Sequence, residues 1–114
     1  MRRKESEFAS SAARAVAIRL GQAIRLARLG RNQPQSDFAE RARIGRRTLT
    51  RIESGDPAVS FTGWLSALEC ASLLSLLEKA ANPESDPIGQ AQRAAQTRKR
   101  ARRAGPQARD NYDF

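Results

Sequence analysis

Residues 33–55 read QPQSDFAERARIGRRTLTRIESG. Phe38, Ala39 and Ala42 fall on one side of a helix that this spacing predicts to about Arg41, with Pro34 in its first turn. A short break follows around Arg43–Gly45. A third helix is then expected over Arg46–Glu53, turning Leu49 and Ile52 inward and leaving Arg46, Arg47 and Arg51 on the other side, flanked by Thr48 and Thr50. Ser54-Gly55 ends it, and Asp56-Pro57 forbids continuation. Two short helices joined by a tight turn, the second opening on basic residues, describe a helix-turn-helix.

That motif assigns chemistry to particular side chains. Arginine forks match guanine O6 and N7 bidentately, each good pair giving about 1–3 kcal/mol of discrimination. Arg46, Arg47 and Arg51 are therefore the candidate base contacts. Gln35 stands in the first turn of the preceding helix, where a backbone phosphate is within reach. Arg43, Thr48, Thr50 and Ser54 are the remaining candidates for phosphate.

Outward from this stretch the chain reads as all-α. On the N-terminal side, Ala13, Val16, Ala17, Leu20, Ile24 and Ala27 line one face of a helix from Ala12 to Leu29, with Gly30 just past its end. On the C-terminal side, Ser60 is placed to cap a fourth helix carrying Phe61, Trp64, Leu65, Leu68 and Ala71. Cys70, among Leu68, Ala71 and Leu73, reads as a buried, inert thiol. Leu73, Leu74, Leu76, Leu77 and Ala80 form a fifth apolar segment, closed by Asn82-Pro83. Its leucines exceed what so small a core needs, which favours a dimer interface. Glu84–Pro87 reads as a linker and Ile88–Arg100 as a further short helix. Ala101–Phe114 has few apolar residues, and most of it is expected to be disordered on its own. The domains are thus a flexible basic N-terminus over 1–11, a DNA-binding and dimerisation domain over 12–81, and a linker, short helix and basic tail over 82–114.

Charge supports the same division. The 114 residues carry 21 Lys and Arg against 12 Asp and Glu, a net +9. All but three of the 21 are arginine, the lysines being Lys4, Lys79 and Lys99. Residues 1–55 are net +8, residues 56–92 net −4 and residues 93–114 net +5. A basic front suits a polyanion, the acidic and apolar middle suits packing, and the basic tail is either solubility charge or an accessory contact to DNA or to an acidic partner.

Other functions lose support from the composition. The chain has no histidine and one cysteine, which removes the commonest general base, the commonest metal ligand and any internal disulfide. No glycine-rich phosphate loop is present and the carboxylates are scattered, so neither catalysis nor a cofactor is expected. Six aromatic residues are too few for a single-strand stacking platform. No stretch is apolar for long enough to span a membrane or to serve as a signal peptide, so a reducing, cytoplasmic setting is expected.

The sequence resembles the lambda-repressor-like, or Xre, family of helix-turn-helix regulators. The matching residues are Leu20-Gly21, Ile24-Arg25, Arg28, Gln35, Phe38-Ala39-Glu40, Ile44 and Arg47-Thr48-Leu49-Thr50-Arg51-Ile52-Glu53-Ser54-Gly55, within a resemblance covering about residues 20–80. It implies a compact five-helix domain binding double-stranded DNA as a two-fold dimer, here followed by a C-terminal helix and basic tail. It also implies an ion pair between Arg28 and Glu53. Three positions depart from the family pattern: Pro34 and Gly45 replace the usual helix caps, and Arg43 occupies the turn position usually held by glycine. Left-handed backbone there would strain an arginine by about 1 kcal/mol or more.

A narrower resemblance, to HipB-like antitoxins, rests on Gly55-Asp56-Pro57, Asp86-Pro87-Ile88-Gly89 and the basic Arg98–Arg103. It implies a promoter-repressing antitoxin that also binds a HipA-like kinase toxin, single-chain or split. The alternative is a stand-alone Xre-family regulator with no toxin partner.

Overall fold

Ser10 starts the first helix by accepting a hydrogen bond from the backbone N–H of Ala13 at 3.1 Å, the usual service of a serine N-cap. The computed structural model describes residues 9–112, with side chains through Arg103. The basic N-terminus over 1–8 and the last two residues, 113–114, lie outside the described residues. Among those described there are six α-helices and no strand: α1 (Ser11–Gly30), α2 (Gln35–Ala42), α3 (Arg46–Glu53), α4 (Phe61–Cys70), α5 (Leu74–Ala81) and α6 (Pro87–Tyr112), with a 3-10 turn at Pro83–Ser85 before the last. The chain divides into two units between Ser75 and Leu76, within α5.

The first unit is built on α3, which packs against α1, α2 and α4. Ile24, Phe38, Leu49 and Ile52 are its largest fully buried side chains, joined by Ala39, Ala42, Val59, Trp64, Ala67, Leu68 and Ala71. Full burial of a side chain of the larger kind contributes about 1.5–3 kcal/mol.

Two apolar faces are buried less than their spacing predicts. On α1, Ala13 and Val16 are exposed, and burial begins only around Ala17 and Leu20. The eight-residue α3 is about 12 Å long and α1 about 30 Å, so α3 cannot cover the first turns of α1. On α4, Phe61 is 74% exposed. It occupies the first position of the helix, and the buried face is set by Gly63, Trp64, Ala67 and Leu68.

The helix ends also differ in detail from expectation. Gly30 belongs to α1, and the left-handed residue beyond it is Asn32, at φ 55°. Asparagine tolerates that conformation better than most residues. Pro34 is the cap residue of α2 and not part of its first turn. Ser60 caps α4 as its position suggests, its Oγ accepting from the N–H of Gly63 at 3.1 Å.

Arg43 does adopt left-handed backbone, at φ 59° and ψ 38°. The N–H of Ile44 reaches back to the carbonyl of Ala39 at 3.0 Å, the long bond of a Schellman ending. The strain this places on a side-chain-bearing residue outweighs the extra chain entropy of glycine. Arg43→Gly is therefore expected to raise stability by up to about 1 kcal/mol, read as a higher midpoint of thermal unfolding. A lower midpoint would mean that the arginine side chain contributes more than the strain costs.

The second unit corrects the sequence reading most. Asp86 Oδ1 accepts from the N–H of Gly89 at 2.9 Å, and Pro87 stands in the first position of α6, where its missing N–H costs nothing. The helix then continues to Tyr112, through the segment expected to be disordered and past Gly105-Pro106. Few apolar residues argue against a core, but alanine, arginine and glutamine are all strong helix formers. No helix among the described residues is long and apolar enough to cross a membrane.

Candidate functional site

The helix α3 separates its residues by face. Leu49 and Ile52 are fully buried and Glu53 nearly so, while Arg46, Arg47, Thr50 and Arg51 are exposed, as is Ser54 just past the helix, and Thr48 is half-buried. Gly45 precedes the helix with no side-chain cap.

Behind this surface, Arg28 and Glu53 form a two-point ion pair. Arg28 Nε donates to Glu53 Oε2 at 2.7 Å and Nη2 donates to Oε1 at 3.1 Å. A third donor, Nη1, reaches the carbonyl of Gln33 at 2.9 Å. Both side chains are buried, so the pair sets the rotation of α3 against α1 in a region of low dielectric, where paired geometry is strongly favoured.

Gln35 joins this network. Its Nε2 donates to Glu53 Oε1 at 3.1 Å, and its Oε1 lies 3.4 Å from the Thr50 hydroxyl. Half-buried and held to Glu53, Gln35 links the start of α2 to the end of α3, a role that its first-turn position alone does not reveal. The Thr50 hydroxyl also donates to the carbonyl of Arg46 at 3.1 Å, and that of Ser54 donates to the carbonyl of Arg51 at 2.8 Å. Both hydroxyls thus bond inside the protein and must turn outward to donate to anything else.

The three arginines are not equivalent. Arg46 and Arg47 have no side-chain partner among the described residues, whereas Arg51 Nε donates to Asp56 Oδ2 at 2.9 Å. The part played by Asp56 in this arrangement is missed by the sequence reading. Its other carboxylate oxygen accepts from the N–H of Ala58 at 2.9 Å, and its carbonyl accepts from Trp64 Nε1 at 3.2 Å. The Asp56 carboxylate therefore steadies Arg51 and shapes the loop after α3, while the backbone of the same residue anchors the core tryptophan. An acid immediately after Gly55, within reach of Arg51, is the available signal.

Arg43 is exposed at the turn and lines a cleft with Arg41, Ala42, Ser66, Glu69 and Cys70. Cys70 is half-buried and not fully enclosed, because it closes α4 at the edge of this cleft. Burial pushes its thiol pKa above the ordinary 9.0, against the pull of Arg31 and Arg41, with Glu69 adding to the rise. The thiol is therefore protonated at neutral pH, in keeping with an unreactive side chain.

The leucines after α4 are poorly covered. Leu73, Leu74 and Leu77 are half-buried and Leu76 is 56% exposed, and α5 has no buried residue at all. Comparison with protein-family models, with curated proteins and with solved structures finds no match for this chain.

Proposed function

We propose that this protein is a sequence-specific repressor that binds double-stranded DNA as a dimer, through a lambda-repressor-like helix-turn-helix formed by α2 and α3. The observation that carries this reading is the division of α3. One side is locked into the core by Leu49, Ile52 and the Arg28–Glu53 pair. The other offers Arg46 and Arg47 with no internal partner and Arg51 steadied by Asp56. A helix held this rigidly, with guanidinium groups on its free side, suits the major groove. Arg46, Arg47 and Arg51 would read base edges. Gln35, Arg43 and Thr48 would meet phosphates, as would Thr50 and Ser54 once their hydroxyls turn, with Gln35 also supporting α3 through Glu53. The poorly covered Leu73, Leu74, Leu76 and Leu77 suit the contact between two copies, which would present two α3 helices about 34 Å apart to a pseudo-palindromic site.

A mobility shift comparing the DNA upstream of the protein's own gene with a scrambled duplex tests this. The Arg47→Ala variant is expected to lose about 5- to 150-fold in preference for the upstream DNA, the equivalent of one bidentate base contact. An equal loss on both duplexes would assign Arg47 to phosphate. No preference in the wild-type protein would overturn the reading.

A second function is favoured by the division of the chain. The unit from Leu76 onward exceeds what a DNA-reading domain requires, and fits an antitoxin that holds a HipA-like kinase toxin, single-chain or split, while repressing their shared promoter. Co-purification with the product of the adjacent gene is the expected result. Its absence would leave a stand-alone regulator.

A further inference from the structure

We infer that α6 is a second DNA-binding element, a basic helical arm that contacts the phosphates of duplex DNA independently of sequence. The inference rests on the DNA-binding reading above and extends it to residues that the helix-turn-helix leaves without a task.

Between Pro87 and Arg103, α6 carries Arg93, Arg98, Lys99, Arg100, Arg102 and Arg103 and no acidic residue. All six side chains are exposed. Arg93 leans across Gly89 beside Asp86. The other five have no ion-pair partner among the described residues. Crowding five cations onto less than two helical turns is unfavourable for an isolated helix, since like charges three and four residues apart repel. A polyanion removes that repulsion.

The distribution of charge around the helix narrows the choice of polyanion. At about 100° per residue, Arg93 and Arg102 lie roughly 180° apart. Arg100 falls close to Arg93, and Arg98 close to Arg102. A flat anionic membrane would be met by one basic face backed by an apolar one, and α6 has charge on opposite sides. A groove in a protein partner would need apolar anchors at helical spacing. Beyond the 74% exposed Ile88, the segment to Arg103 contains no aliphatic residue larger than alanine. Single-stranded nucleic acid would call for interleaved aromatics, and there are none between Pro87 and Arg103. A helix about 10–12 Å across that enters a major groove about 12 Å wide has a phosphate wall on either flank. That geometry matches cations on opposite sides of the helix.

The test uses the full-length chain with Arg98→Gln, Arg102→Gln and Arg103→Gln combined. Glutamine retains most of the helix propensity of arginine, and circular dichroism verifies that the helix content is kept. Affinity for a duplex is measured from 50 to 200 mM salt. The triple variant is expected to bind about 10- to 100-fold more weakly at 100 mM, with the slope of log affinity against log salt shallower by about 3 per chain. The loss should be equal on upstream and scrambled DNA. Lysine at the same three positions should restore the slope, since a point charge suffices for phosphate. An unchanged slope in the glutamine variant would overturn the inference, as would an unchanged slope combined with loss of a co-purifying acidic protein. The two readings fail separately. A wild-type protein indifferent to sequence would sink the repressor, while a salt slope relaxed by the glutamine variant would still support the arm.

Discussion

Glu53→Ala is expected to cost about 3–5 kcal/mol, much of the roughly 5–15 kcal/mol by which a typical domain is stable. The substitution removes both acceptors of the Arg28 fork and the acceptor of the Gln35 amide. Arg28 is then left 8% exposed with only the Gln33 carbonyl for company. An unpaired buried charge costs far more than the pair itself contributes. The same asymmetry makes a second, opposite expectation. Replacing both members, with Arg28→Met and Glu53→Leu, should cost less than Glu53→Ala alone, because no charge is then stranded. Urea unfolding of the two variants gives the comparison. A cost near 1 kcal/mol for Glu53→Ala would place the pair among ordinary surface salt bridges.

Gly21→Ala should destabilise by about 3 kcal/mol, the upper end of the range for overpacking. Intrinsic propensity points the other way, since alanine in a helix interior is favoured over glycine by about 1 kcal/mol. Packing decides the sign. A Cβ on Gly21 would overlap the carbonyl oxygen of Ile52 and stand 3.0 Å from the carbonyl of Glu53 and the backbone nitrogen of Gly55. These are backbone atoms at the end of α3, and no rotamer change relieves them. Gly55 meets α1 from the other side, at φ +82° with its missing Cβ directed at the backbone of Ile18. The two glycines thus let α1 and the end of α3 approach closely. At Gly30, in the same helix, an added Cβ would meet nothing within 4 Å, so Gly30→Ala is the control and should show no loss. Thermal melts of the two variants separate the effects. Equal stability of Gly21→Ala and the wild-type chain would show that the contact can relax.

Much of the first unit is legible in the sequence because its signals are local. The spacing of Phe38, Ala39 and Ala42 marks α2, that of Leu49 and Ile52 marks α3, and Ser60 marks the start of α4. What escapes is what depends on a neighbour. Periodicity places Val16 and Phe61 on apolar faces, but only the reach of the packed elements decides whether those faces are covered. The amide of Gln35 bonds to Glu53, eighteen residues away, a contact that its first-turn position does not encode. The role of Gly21 is a matter of distance to a carbonyl more than thirty residues on, and no local pattern encodes it. For α6 two signals conflict: scarcity of apolar residues speaks to burial, while helix formation follows from backbone propensity.

The free side of α3 is built from arginine and threonine, without a lysine or histidine. A guanidinium offers no amine for acetylation, the modification that neutralises lysine. Arg46, Arg47 and Arg51 therefore give that modification nothing to act on. Control over what this surface holds must come instead from a competing contact or from a change in how the helix is presented.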